Sequence, residues 1–165
     1  MKDLFYKRSH TASIIDNKDI DTAFVFCDKY KQFLDCAKTE REAATEIENQ
    51  LKTEGFKSYK YGDKLVAGDK IFVNNKAKSI IAAKIGTDPI GAGVNILVAH
   101  IDSPRIDLKQ NPLYENSEIA LFKTHYYGGI KKYQWTTIAL ALHGVIVKSD
   151  GTKIQVNIGE DEEDP

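Results

Sequence analysis

The sequence is poor in cysteine, proline and net charge, and each shortage closes off a class of protein. Two cysteines, Cys27 and Cys36, stand among 165 residues. If they share a helix, their separation of nine residues sets them about 13 Å apart along its axis. A disulfide spans no more than roughly 7 Å between Cα atoms. The spacing also fails the Cys-x-x-Cys pattern of metal and redox sites, so both read as free, structural thiols. A net charge of −1 supplies no long-range field toward nucleic acid or an acidic membrane. Lysines mixed with aromatics, as in "GGIKKYQW", do not alter that reading when charge is balanced. No apolar run approaches the roughly 18 residues of a spanning helix. The opening "MKDLFYKRSH" lacks the apolar centre of a secretory signal. A cytoplasmic protein with no nucleic-acid and no membrane partner is expected.

What is present is ordinary for a globular chain: 42% apolar and 28% charged residues, enough for one domain and part of another. Residues 1–17 read as an irregular arm, polar apart from Leu4, Phe5, Tyr6 and Ile14–Ile15. From about Asp19, the residues Ala23, Phe26, Cys27, Tyr30, Phe33, Leu34 and Ala37 recur at spacings of three and four, the period of one helix face. Thr39 and Glu42 then form a Thr-x-x-Glu capping box ahead of the stripe Ala43, Ile47, Leu51, and Gly55 marks the stop. Beyond Gly55 the period changes. Two short apolar runs flank Asn74–Asn75–Lys76, a hairpin pattern in which asparagine suits a left-handed turn. "TDPIGAG" is a loop.

"VNILVAH" follows, a continuous apolar run of strand length, and predicts a central strand buried on both faces. "QNPLYENSEIALFKTHYYGGIKKYQW" is aromatic and less regular. "TTIALALHGVIVKSDGTKIQVNIG" predicts two strands joined at Asp150–Gly151, and "GEDEEDP" an acidic tail or a strand cut short. Helices first and strands later place a domain boundary near residue 108. The expected class is α/β, with helices packed on a sheet whose central strand ends at His100.

That end carries the chemistry. In open α/β sheets, ligands and metals collect at the carboxyl ends of strands. A His-x-Asp pair on extended backbone puts His100 and Asp102 on one side. Asp102 can then hold one imidazole nitrogen while the other faces a metal. A satisfied histidine at a strand end is the blander alternative, since zinc takes three or four protein ligands. A serine-hydrolase triad of Ser103, His100 and Asp102 fails, because Ser103 projects away from His100 and no Gly-x-Ser-x-Gly elbow exists. His125 and His143 read as structural. Gly128–Gly129 permits a tight turn or a close backbone approach.

"LVAHIDSPRIDLK" resembles the Ala-His-x-Asp-Ser-Pro segment of the aspartyl aminopeptidase / aminopeptidase I family of zinc metallopeptidases. "HYYGGIKKYQW" and "LALHGVIV" resemble that family's Tyr-Gly-Gly motif and the strand after it. "KTEREAATEIENQLKTEGF" and "FVNNKAKSIIAAKIG" are similar to its helix and hairpin, so the likeness runs from about residue 20 to about 158. The resemblance implies that His100 is a ligand of an active-site zinc pair and that Asp102 is the catalytic-site carboxylate orienting it. It implies peptide substrates and a large homo-oligomer. In that family the remaining ligands and the general base come from chain beyond the second domain. Residues 1–108 are therefore expected to begin the catalytic domain and 109–165 a β-rich oligomerisation domain. Two departures stand out: Ile130 follows Tyr127–Gly128–Gly129 where members often carry a third glycine, and Thr137 and Ala139 replace two aspartates. The departures put a preference for acidic N-terminal residues in doubt. A non-catalytic oligomerisation module and another metal-dependent amidohydrolase or deacylase remain as alternatives.

Overall fold

Apolar side chains at helical spacing bring residues Asn17–Cys36 into the first helix, α1. The computed structural model describes residues 8–161, so Leu4, Phe5 and Tyr6 of the expected arm and residues 162–165 of the acidic tail lie outside the described residues. Within the arm, Thr11–Ser13 make one 3₁₀ turn. The chain divides into two compact units, Met1–Cys36 and Ala37–Pro165. In the first, the rings of Tyr30 and Phe33 stack at 6.4 Å between centroids, and Lys31 pairs with Asp28 at 2.7 Å. No side chain of α1 is buried. Both cysteines are free and exposed.

The second unit opens on α2 (Glu40–Thr53), and its caps are those expected from the sequence. The Thr39 hydroxyl accepts the Glu42 N–H, while a Glu42 carboxylate oxygen accepts the Thr39 N–H at 2.9 Å. At the far end the Gly55 N–H bonds the Lys52 carbonyl and the Phe56 N–H bonds the Leu51 carbonyl. That pair of bonds is a Schellman motif, and it needs the left-handed backbone Gly55 supplies at φ +82°. The chain leaves the motif straight into β1 (Lys57–Ser58), parallel to β2 (Lys70–Asn75), which pairs antiparallel with β3 (Ser79–Lys84). α2 lies against β2 and β3. Ala43, Ala44 and Phe72 are the buried apolar side chains among the described residues. Asn74 Nδ2 donates to Glu48 at 2.6 Å across that contact.

The β2–β3 turn corrects one detail. Its left-handed residues are Lys76 and Ala77, at φ 57° and 55°, not the asparagines. Asn74 contributes through its side chain instead, accepting the Ala77 N–H at 2.8 Å, while the Lys78 N–H closes on the Asn75 carbonyl.

The larger correction concerns "VNILVAH". Residues 93–104 form no strand. Val94, Ile96, Leu97 and Val98 are exposed, Leu97 fully so at 101%. A strand buried on both faces needs a neighbour on each edge to take its N–H and C=O groups. No other described strand pairs with this segment, so the apolar run has nothing to ladder with.

"QNPLYENSEIALFKTHYYGG", read as less regular, holds the longest ladder of the chain: β4 (Arg105–Asn116) antiparallel to β5 (Ile119–Tyr127). The pairing shifts between Leu108 and Leu113. Pro112 lies there, and it has no N–H to give to a ladder. Ser117 and Glu118, both at positive φ, make the turn. The residue expected to separate the domains, 108, falls inside β4. A short helix, α3 (Lys132–Trp135), follows. The final hairpin is β6 (Leu142–Val147) with β7 (Lys153–Ile158); residues 136–141, expected as strand, lie outside it. The fold is thus α/β, with β-rich structure from Arg105 onward.

Candidate functional site

Two segments far apart in sequence meet where the β4–β5 ladder starts. The first is His100–Arg105, leading into β4. The second is Tyr126–Gly129, leaving β5. The register sets Arg105 opposite Tyr127 and Asp107 opposite His125, so side chains on these pairs are cross-strand neighbours. Gly128 turns the chain at φ +75°, and a Cβ there would stand 3.3 Å from the Pro104 Cα. Its lack of a side chain is what lets the turn close on Pro104, the close approach the glycine pair foretold.

His100 Nδ1 lies 3.0 Å from Asp102 Oδ1 and 3.0 Å from the Asp102 carbonyl. Both neighbours are acceptors, so the hydrogen-bond network assigns the proton to Nδ1. In the neutral ring Nε2 then carries the lone pair. The side chain is 84% exposed, and that lone pair is open to a ligand. Asp102 is engaged at both oxygens, because its Oδ2 accepts the Tyr127 hydroxyl at 2.6 Å. The Tyr127 bond pulls the Asp102 carboxyl below the ordinary aspartate range. The same bond pushes the Tyr127 phenol above its ordinary value.

Tyr127 is itself held. The Arg105 guanidinium stacks over its ring at 4.1 Å, and Arg105 Nε donates to Asp107 Oδ1 at 2.7 Å. His125 Nε2 reaches to 4.0 Å from the other Asp107 oxygen. Imidazole, carboxylate, phenol, guanidinium and second carboxylate therefore form one chain of contacts. Arg105 and Asp107 were not singled out from the sequence, and Tyr127 was noted only as part of the Tyr-Gly-Gly stretch, with no link to His100 or Asp102. No local pattern places them beside the His-x-Asp pair, because only the strand register does so.

The structure brings His100 and Asp102 together as expected, while His125 and His143 contact other residues. His143 does structural work: Nδ1 donates to Glu42 at 2.8 Å, tying β6 to the capping box of α2. Its Nε2 sits 3.2 Å from a Glu160 oxygen. Ser103 lends only its carbonyl, to Arg105. Two open hollows of about 560 and 540 Å³ lie elsewhere, and neither is lined by His100 or Asp102.

Zinc needs three or four protein donors, and among the described residues no group of three or more His, Cys, Asp or Glu side chains is placed to hold a metal. His100 fits such an ion as one donor: its orientation is fixed through Nδ1, its lone pair faces out, and a carboxylate supports it. The arrangement offers one ligand and its support, not a complete cage.

Comparison with known proteins bears on this directly. Residues 33–165 match the family described as "Aminopeptidase I zinc metalloprotease (M18)". A probable M18 family aminopeptidase 1 of Clostridium acetobutylicum is 49% identical over 154 residues, covering 91% of this chain and 33% of that protein. The crystal structure of aminopeptidase I from Borrelia burgdorferi superposes with a TM-score of 0.89 at 39% identity, covering 95% of this chain and 39% of that one. An M18 aminopeptidase structure from Thermotoga maritima gives 0.84 at 42% identity, over 98% and 35% of the respective chains. The chain spans about a third of the length of the curated relatives it matches.

Proposed function

The chain belongs to the aminopeptidase I zinc metalloprotease (M18) family, and from that premise we propose that it forms the N-terminal part of a zinc-dependent aminopeptidase acting on peptides. In this reading residues 1–108 begin the catalytic domain and residues 109–165 begin a β-rich domain through which copies assemble into a large homo-oligomer. The enzyme works in the cytoplasm, where the free Cys27 and Cys36 stay reduced. Among the described residues no helix is long and apolar enough to cross a membrane.

The observation that carries the reading is the His100–Asp102 pair, with Nδ1 tied at 3.0 Å and Nε2 facing out. His100 gives Nε2 as one ligand of a zinc pair. Asp102 keeps the proton on Nδ1 and the ring in one orientation. When bound, zinc supplies a water activated for attack and polarises the carbonyl of the first peptide bond. The other ligands and the proton-shuttling base come from sequence equivalent to the rest of the relatives' length. Thr137 and Ala139 remove two carboxylates from the turn after α3, so specificity for acidic N-terminal residues is not part of the proposal.

The test uses the full-length polypeptide that carries these residues. His100→Ala is expected to lose one metal and nearly all hydrolysis of N-terminal peptide bonds. Asp102→Asn is expected to lose about 10- to 100-fold in metal affinity or activity, with partial rescue by added zinc. Full metal content and full turnover in both variants would move the site elsewhere and defeat the proposal.

A further inference from the structure

Neither His100 nor Asp102 is held by packing. Their side chains are 84% and 33% exposed, and both lie in residues 93–104, which form no regular element. The carboxylate torsion of an aspartate is broad and roughly two-fold. A group that free would spread the imidazole over many orientations unless something outside the segment stopped it. The Asp102 carbonyl takes His100 Nδ1 at 3.0 Å from within the segment, and from outside it the Tyr127 hydroxyl fixes the carboxylate, bonding Asp102 Oδ2 at 2.6 Å. Oδ1 is thereby left facing His100.

Tyr127 can transmit order because it ends a strand laddered from Arg105–Tyr127 to Asn116–Ile119. Its ring is covered by Arg105, which Asp107 fixes. The next residue, Gly128, presses the turn onto Pro104, immediately after the His-x-Asp-Ser stretch. The rigid hairpin thus grips the irregular segment twice, once through a hydroxyl and once through backbone contact.

We propose that Tyr127 is a positioning residue: its hydroxyl orients Asp102, and Asp102 in turn holds His100 as a metal ligand. The inference rests on the proposed ligand role of His100. It assigns Tyr127 no contact with substrate or metal. The Tyr-Gly-Gly stretch then works as one device, with the tyrosine supplying the hydrogen bond and the first glycine the closeness.

Tyr127→Phe removes only the hydroxyl and keeps the ring under Arg105. In the metal-free protein, nitrogen-15 NMR of the imidazoles should show the Nδ1–H tautomer of His100 less populated, since the carboxylate acceptor is loosened and only the Asp102 carbonyl still holds Nδ1. With zinc ions as the probe, the dissociation constant should rise about tenfold or more. Gly128→Ala leaves the hydroxyl in place but forces the turn off Pro104, and it should reproduce the same two changes. His100→Ala is the control that separates the two claims. If His100→Ala keeps its zinc, the ligand reading fails and the inference falls with it. If His100→Ala loses zinc while Tyr127→Phe leaves tautomer and zinc affinity unchanged, Tyr127 is not a positioning residue and the ligand reading survives. A shift in both readouts for Tyr127→Phe upholds the inference.

Discussion

The α2 helix with its β2–β3 hairpin and the stretch from Gly93 to Pro104 both contain strongly apolar sequence, and they end in opposite states. In the first region Phe72 is 2% exposed and Ala44 is fully buried. In the second, Leu97 is fully exposed and no backbone ladder forms. Hydrophobicity does not separate them; the distance to a partner does. α2, β2 and β3 follow one another within residues 40–84, so each finds its neighbour a short loop away. A central strand needs two neighbours, and such neighbours come from chain distant in sequence. What reaches Asp102 from outside the second region is the Tyr127 hydroxyl, brought there by the β4–β5 ladder.

The widest test of that contrast is a pair of substitutions, one in the core and one on the exposed run. Phe72→Ala should destabilise the second unit by about 3–5 kcal/mol. Leu97→Ala, a larger change in hydropathy than its exposure warrants, should stay within about 0.5 kcal/mol. Urea unfolding measures both, and equal losses would show that residues 93–104 already belong to the folded core.

A smaller loss is expected at the cap. Thr39→Ala removes the hydroxyl that accepts the Glu42 N–H, costing about 1 kcal/mol by the same unfolding measurement. Because Glu42 also takes the His143 Nδ1–H, the variant should weaken protection of β6 amides from hydrogen exchange. A change confined to α2 would mean the cap and β6 are not coupled.

The smallest effect is a pH dependence. Lys52, donating from one turn away, and Asn74 on β2 hold the Glu48 carboxyl below its ordinary value of 4.5. A group with a lowered folded value contributes stability above its unfolded value. That contribution is lost as pH falls through the folded value. Stability should decline with acidification below about pH 4.5, and Glu48→Gln should flatten part of the slope. An unchanged slope in Glu48→Gln would show that the Lys52 and Asn74 contacts of Glu48 carry no charge-dependent stability.

Much of the fold was legible where punctuation is local. The Thr39–Glu42 box, the Gly55 stop and the two-strand reading about residues 74–76 each depend on residues within a few positions of one another. β4 and β5 were not legible. Their turn uses Ser117 and Glu118 at positive φ with no glycine to announce it, and Pro112 interrupts the alternation that reveals a strand. The site was half legible. His100 and Asp102 are two residues apart, so their pairing follows from the motif. Tyr127 is joined to Asp102 only by a register that no sequence pattern states.

By itself the sequence determined the pairing of His100 with Asp102, the caps of α2 and the β6–β7 turn at Asp150–Gly151, because short-range geometry decides all of these. It also carried the family, through motifs spread from α2 to β7. Only the tertiary structure decided whether an apolar run becomes a strand and which hydroxyl steadies the aspartate. Both need partners from elsewhere in the chain: backbone groups to complete a ladder in one case, and a strand register aligning residue 127 with residue 105 in the other.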